Sequence, residues 1–406
     1  SAPGEDDYFA GWATSMEDAQ KGNAKYAVGE KVRVNADSSN DLYATWVKKT
    51  VIKVTANSNT LPYNGEVQKV EGIKDVTAGY EVTGLTAEAK GKDFGTYNSE
   101  ITGTAKVTKG GVDVTDKVIV NKINGTLTIS KRKVTLTSQT DSKDYDGTPL
   151  TRPNVKIEGN FVDGEVTEVK ATGSVTYVSE GAVTNTIVIT EGENFKATNY
   201  SITKNEGTLS ITEVDAEVTV TIKGHEATAT YDGNPHSVEG YEITDISNKL
   251  YTKDDVKFTG QAKAEGTEAG TYQMHLTKDL FSNKNSNFKK VTFVVEDGSL
   301  IINRKSIDDQ NRITVTKPED SKYNGEEHKN KPTVTDTKTG KTLVEGTDYT
   351  LAYSDDVTNA GTVTVTIKGI GNYSGKTTTT YQITKRDVTL TSGSASRVYN
   401  KEALTN

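Results

Sequence analysis

The 406-residue chain contains no cysteine, which removes disulfides, thiolate metal sites and cysteine nucleophiles together. Its four histidines, His225, His236, His275 and His328, are scattered, with none at H-x-x-H or H-E-x-x-H spacing. No G-x-S-x-G elbow occurs either, so hydrolase chemistry has no candidate nucleophile. No apolar run approaches the roughly 18 residues of a membrane span. The opening "SAPGEDDYF" lacks the basic and apolar regions of a signal peptide, so an export or anchoring signal is expected outside this sequence. Basic excess is missing too: 48 basic and 56 acidic residues leave a formal charge of −8 spread along the chain, which offers no field for nucleic acid or an anionic membrane.

What the chain does have is Val, Ile, Leu and Tyr set among abundant Thr, Gly and Asn, the composition of half-exposed strands joined by turns. At this length several domains of about 100 residues are expected. Self-comparison locates them. A short motif recurs as "LPYNGEV" around Tyr63, "KDYDGTPL" around Tyr145, "ATYDGNPH" around Tyr231, "SKYNGEEH" around Tyr323 and, degraded, "RVYNKEAL" around Tyr399. The tyrosines are spaced 82, 86, 92 and 76 residues apart, one small domain per interval.

Other features keep the same step. An alternating strand precedes each motif ("TVIKVTAN", "KRKVTLTS", "AEVTVTIK", "NRITVTK", "KRDVTLTS"), and "GTLTIS", "GTLSIT", "GSLIIN" and "TTYQIT" close successive units. The period-two alternation of Val363, Val365 and Ile367 against Thr362, Thr364 and Thr366 marks a strand with one buried face. No amphipathic helix is expected.

About seven short strands in each unit of roughly 80 to 90 residues predict an all-β chain of immunoglobulin-like sandwiches. The units are 49–130, 131–212, 213–303 and 304–384, after an N-terminal segment 1–48 and before the start of a fifth unit at 385–406. "GTLTIS" runs through Lys131 and Arg132 straight into the next strand, and Lys385-Arg386 does the same. Such joins permit little swing, so the units are expected to stack end to end as a semi-rigid rod. At a strand length of about 33 Å per ten residues, four would reach on the order of 150 Å.

Two resemblances follow from these residues. The Y-[DN]-G turns, "KRKVTLTSQTDSKDYDGTPLT", "ATNYSITKNEGTLSIT" and "VEGTDYTLAYSDDVTNAGTVTVTIKGIGNYSGKTTTTYQIT" resemble bacterial immunoglobulin-like repeats of the MBG or YGX type, found in tandem in large Gram-positive surface proteins. This covers about four-fifths of the chain. Residues 8–46 resemble the internalin-type B-repeat, or Listeria–Bacteroides repeat, through Phe9, Gly11, Trp12, Tyr26, Gly29 and Leu42-Tyr43-Ala44-x-Trp46. That resemblance implies a partial β-grasp-like unit with Trp12 and Trp46 in its core, in a fragment truncated at both ends.

Several local readings compete with the plain ones. Tyr-Asp-Gly or Tyr-Asn-Gly after an alternating strand reads as a turn in which Asp or Asn tolerates positive φ and Gly adopts it. The Tyr ring would cover the end of its own sandwich, its hydroxyl near water or a carbonyl. The rival is calcium, with Ser142, Asp144, Asp146 and Gly147 imitating an acidic loop, but Pro153 stands where the closing acid belongs and Lys322 would repel an ion at the fourth copy. The pairs Asp6-Asp7, Asp254-Asp255, Asp308-Asp309 and Asp355-Asp356 read as solvated loop charges, an inter-domain calcium being the sharper alternative. Lys131-Arg132-Lys133, Arg304-Lys305 and Lys385-Arg386 read as solvated hinges steadied by acidic loops. By the analogy of stalk domains with Lys–Asn isopeptide links, Lys133 with Asn205 is a candidate pair.

The expectation is therefore a non-enzymatic stalk or adhesin segment, extracellular and anchored at a bacterial cell wall, with no catalytic, cofactor-binding or metal residue. Partners would be adjoining domains of the same protein and a host or bacterial surface glycan or protein. Two alternatives stay open. One is a ligand-binding module, with unit 213–303 and its insert "TKDLFSNKNSNF" as the candidate, since extra loops on a rigid scaffold carry binding. The other is a set of accessory domains of a large secreted glycanase, which the flanking regions would decide; paired glycosidase carboxylates within this chain are a separate reading that the 56 acids leave open but that lacks a pocket-forming scaffold.

Overall fold

In the computed structural model, which describes residues 3–36 and 39–405, the chain is built almost wholly from short β-strands. It divides into two compact units, one comprising residues 1–143 and 148–211, the other 144–147 and 212–406. No helix among the described residues is long and apolar enough to cross a membrane.

In the first unit, Asp7–Ala13 pairs antiparallel with Tyr43–Lys48. Between them lies a five-residue helix, Met16–Gln20, capped by Ser15, whose hydroxyl accepts from the Asp18 amide. A single turn carries too little periodicity for a sequence pattern to reveal it, which is why an all-strand reading missed it. Phe9 stands between the two tryptophans, 5.2 Å from the Trp12 ring and 5.4 Å from Trp46. Trp12 is nonetheless 39% exposed, so it caps this small pair of strands, and the closed positions are Gly11, Ala13 and Thr45.

Sequence repeats one to four share one pairing scheme. The opening strands Thr50–Ala56, Arg132–Ser138 and Val218–Gly224 alternate buried and open positions, placing Ile52, Val54, Val134, Leu136, Val218, Val220 and Ile222 inside. Each opening strand pairs antiparallel on one side, with Ile73–Val76, Val155–Glu158 or Tyr241–Ile246. On the other side it pairs parallel, with Val118–Ile123, Tyr200–Asn205 or Val291–Glu296. In repeat four the opening strand is broken: Lys305–Ser306 keeps the parallel partner and Ile313–Thr316 the antiparallel one. A second sheet is centred on the closing strand. In repeats one, three and four this strand runs parallel to the strand leading into the tyrosine turn and antiparallel to a glycine-led strand.

The apolar cores do not respect the repeat boundaries. In the first unit one cluster joins Tyr63, Ala89, Leu127 and Ile129 of repeat one to Val134, Leu136, Ile187 and Tyr200 of repeat two. In the second unit another joins Tyr231, Met274, Leu300 and Ile302 of repeat three to Ile307, Ile313, Val334 and Tyr373 of repeat four. The joins that carry these clusters are one residue long: Lys131 between Gly125–Ser130 and Arg132–Ser138, and Arg304 between Ser299–Asn303 and Lys305–Ser306.

Candidate functional site at the repeat joints

The turn that the motif specifies forms as a glycine turn. Gly65, Gly147, Gly233 and Gly325 have φ of 83°, 80°, 80° and 90°. The residue before them does not adopt positive φ. Asn64, Asp232 and Asn324 instead use a side-chain oxygen to accept the amide two residues on, at 2.9, 3.0 and 2.9 Å. In the degraded fifth copy Lys401 takes the glycine position at φ 68°, while Asn400 accepts from the Glu402 amide. The turn geometry therefore survives loss of its glycine.

The tyrosine departs from expectation more sharply. Tyr63 is 1% exposed, and its partner lies in the next repeat: its hydroxyl donates to the Glu165 carboxylate at 2.5 Å, and Tyr200 donates to the other oxygen at 2.6 Å. The two rings meet edge to face at 5.6 Å. In the second unit Tyr231 meets Tyr373 the same way at 5.7 Å. The turn Asp144–Gly147 belongs to the second unit, where the Tyr145 ring packs edge-on against Phe288 at 5.7 Å. The motif thus positions its ring on a neighbour about one repeat downstream, a contact that local sequence reasoning does not reach.

A second contact completes each joint. Asn199, fully buried, accepts from the Phe94 amide at 2.7 Å and donates to Asp93 at 3.0 Å. Asn372 accepts from the Ala269 amide at 2.8 Å and donates to Glu268. The carbonyls of Asp93 and Glu268 each receive a tyrosine hydroxyl four residues on, from Tyr97 and Tyr272, at 2.9 Å. The joint therefore has a recurring code: Tyr-x-Gly and acid-x-Gly-Thr-Tyr on the upstream repeat, Asn-Tyr on the downstream one. Lys196 adds an ion pair to Asp93 at 2.7 Å, and with Asn199 it holds that carboxyl below its ordinary range.

Of the basic residues at the joins, Lys131, Lys133, Arg304, Lys385 and Arg386 are exposed, whereas Arg132 is half-buried and Lys305 buried. Lys131 lies over the Phe94 ring at 5.0 Å, and Arg132 donates to the carbonyls of Asn160 and Tyr63 at 2.5 and 3.3 Å. Lys305 is 2% exposed and pairs with Asp336, which is fully buried. The parallel register carries the residue after each one-residue join into the joint, where exposed charge has no room. Lys133 and Asn205 are separated: Lys133 lies opposite Ser201 and Asn205 opposite Thr137, four residues along the ladder, or about 13 Å. No bond between them is possible in this register.

Other singled-out residues have local employment. Asp144 accepts from the Thr212 hydroxyl at 2.6 Å, and Asp320 from the Gln382 amide at 2.8 Å. Asp7, Asp255, Asp309 and Asp356 accept from nearby backbone amides, and Asp308 from the Ser306 hydroxyl. The four histidines stay apart: His225 bonds the Glu239 carbonyl, His236 bonds Asp232 at 3.0 Å, His275 stands at φ 60°, and the His328 carbonyl receives the Tyr381 hydroxyl. Among the described residues no group of three or more metal-ligating side chains converges. The insert 277–288 is packed rather than projecting, with Phe281 and Phe288 buried and Leu280 packed against the same core.

Burial, and then the facing Glu165, push the Tyr63 hydroxyl up to about 12; the same causes drive Tyr200 upward. A folded value above the ordinary 10 means that this stability is complete below pH 10 and lost as pH rises through the folded value. We expect the first unit to lose up to about 3 kcal/mol between roughly pH 10 and 12 through Tyr63. Denaturant melts across that window check this, and Tyr63→Phe should flatten the slope.

No family model matches this sequence, and no curated protein is similar to it at a significant level. Solved structures that match include extracellular cadherin domains 3–6 of protocadherin gamma B2, 12% identical over 84% of this chain and 99% of that one, with a TM-score of 0.21. Domains 1–5 of the same protein are 8% identical over 86% of this chain and 84% of theirs, also at 0.21. Likeness at that level carries no argument, and the assignment of tandem β-sandwiches rests on the strand pairing above.

Proposed function

We propose that the chain is a non-enzymatic stalk segment of a bacterial cell-surface protein, which holds a distal module away from the surface and serves attachment there. The observation that supports this most is the recurring joint. A spacer must resist bending, and here a one-residue join, a shared apolar cluster and a backbone amide donating to an Asn side chain act together between the two repeats of each unit. Loops with few such contacts would swing instead. The resemblance to MBG-type and B-repeat sequences supports the surface location, and the packed insert in repeat three supports a scaffold role over a binding loop. Small-angle scattering of the whole chain tests the proposal: an elongated particle with a well-defined cross-section is expected, and a compact globular profile overturns it.

A further inference from the structure

Lys305 and Asp336 are the one pair of opposite charges among the described residues with both side chains almost wholly buried, at 2% and 1% exposure. Lys305 opens repeat four on a strand that runs parallel to Tyr373–Ser374, and Asp336 ends the strand Thr333–Asp336. The flanking residues Ile307, Val334 and Tyr373 belong to the apolar cluster of the joint. The Lys305 amine is in direct contact with Oδ2 of Asp336. Oδ1 is held separately, by the backbone N–H groups of Lys338 at 3.1 Å and Thr339 at 3.4 Å. Arg132 takes the same register place in repeat two, opposite Tyr200, and its guanidinium goes to carbonyls.

We propose that Lys305 and Asp336 condense to an intramolecular isopeptide bond. Transfer of a proton from the ammonium to Oδ2 leaves a neutral amine against a neutral acid. The amine lone pair attacks Cγ, forming the N–C bond. Charge then develops on Oδ1, where the Lys338 and Thr339 amides already point, an arrangement that stabilises a tetrahedral oxyanion. A second proton passes from nitrogen to Oδ2, the C–Oδ2 bond breaks, and one water leaves. No oxidant, reductant or co-reactant is consumed. Two features drive the step: the reacting groups are fixed in contact, so little orientational entropy remains to be lost, and an amide removes two charges that are costly to bury. The bond would staple the opening strand Lys305–Ser306 of repeat four to the strand Thr333–Asp336 of the same repeat, beside the apolar cluster that it shares with repeat three.

The intact mass of the denatured full chain tests this. The expected value is one water, about 18 Da, below the sequence mass, with a branched proteolytic peptide joining Lys305 to Asp336. The Lys305→Arg chain, which keeps a cation but loses the nucleophile, should return the full mass. A wild-type chain at full mass overturns the proposal. So does a deficit that maps to any other residue, or one that persists in Lys305→Arg.

Discussion

Replacing Tyr63 with alanine should lower the stability of the first unit by about 3 to 5 kcal/mol, the cost of deleting a fully buried aromatic ring. The ring fills the cluster shared by repeats one and two and meets Tyr200 edge to face, so the cavity opens at the joint itself. Loss of the hydroxyl also leaves Glu165, 4% exposed, with one donor fewer, which by itself costs about 1.5 to 3 kcal/mol. Tyr63→Phe isolates that second part. Urea unfolding of the three chains measures both, and Tyr323→Ala supplies the control. Tyr323 occupies the same motif position but is 37% exposed, so its loss should cost less than about 1 kcal/mol. Equal effects at Tyr63 and Tyr323 would return the motif to a simple turn cover.

Asp336→Ala should be as damaging, at least about 3 to 5 kcal/mol in the second unit, because it strands the Lys305 ammonium in an apolar cluster with no counter-charge. The replacement also releases the amides of Lys338 and Thr339 that Asp336 organises. Removing both ends, as Lys305→Met with Asp336→Leu, should be milder than removing Asp336 alone, since no buried charge is left behind. Thermal melts of the single and double variants decide this. A harmless Asp336→Ala would mean that water reaches Lys305 and that the pair is not closed.

The repeat period, the strand-rich class and the turn were legible because each is local. Alternation in Val363–Ile367 reports one buried face, and a glycine after Asn or Asp reports positive φ. The joint was not legible by the same means, although its parts stood in view. "DFGTY", "EAGTY" and the Asn-Tyr of "ATNYS" and "GNYSG" look like ordinary strand entries, and their meaning lies in contacts more than 100 residues apart, as between Phe94 and Asn199. Lys305 misled for the same reason. A lysine after an arginine reads as a solvated pair, and only the parallel register with Tyr373 shows that it is carried inward. Trp12 erred in the opposite direction, since a large aromatic residue in a two-stranded unit has too little structure over it to be closed.

Within each unit the two repeats, one with two and three with four, are locked by the tyrosine joint rather than tethered by a short chain. The absence of cysteine makes this directly measurable. Spin labels at Lys74→Cys in repeat one and Lys156→Cys in repeat two, both exposed, report the distance between the repeats by pulsed electron resonance. The account predicts a single narrow distance distribution that broadens several-fold when Tyr63→Ala is added. A distribution already broad with Tyr63 in place, or one that Tyr63→Ala leaves unchanged, would contradict it.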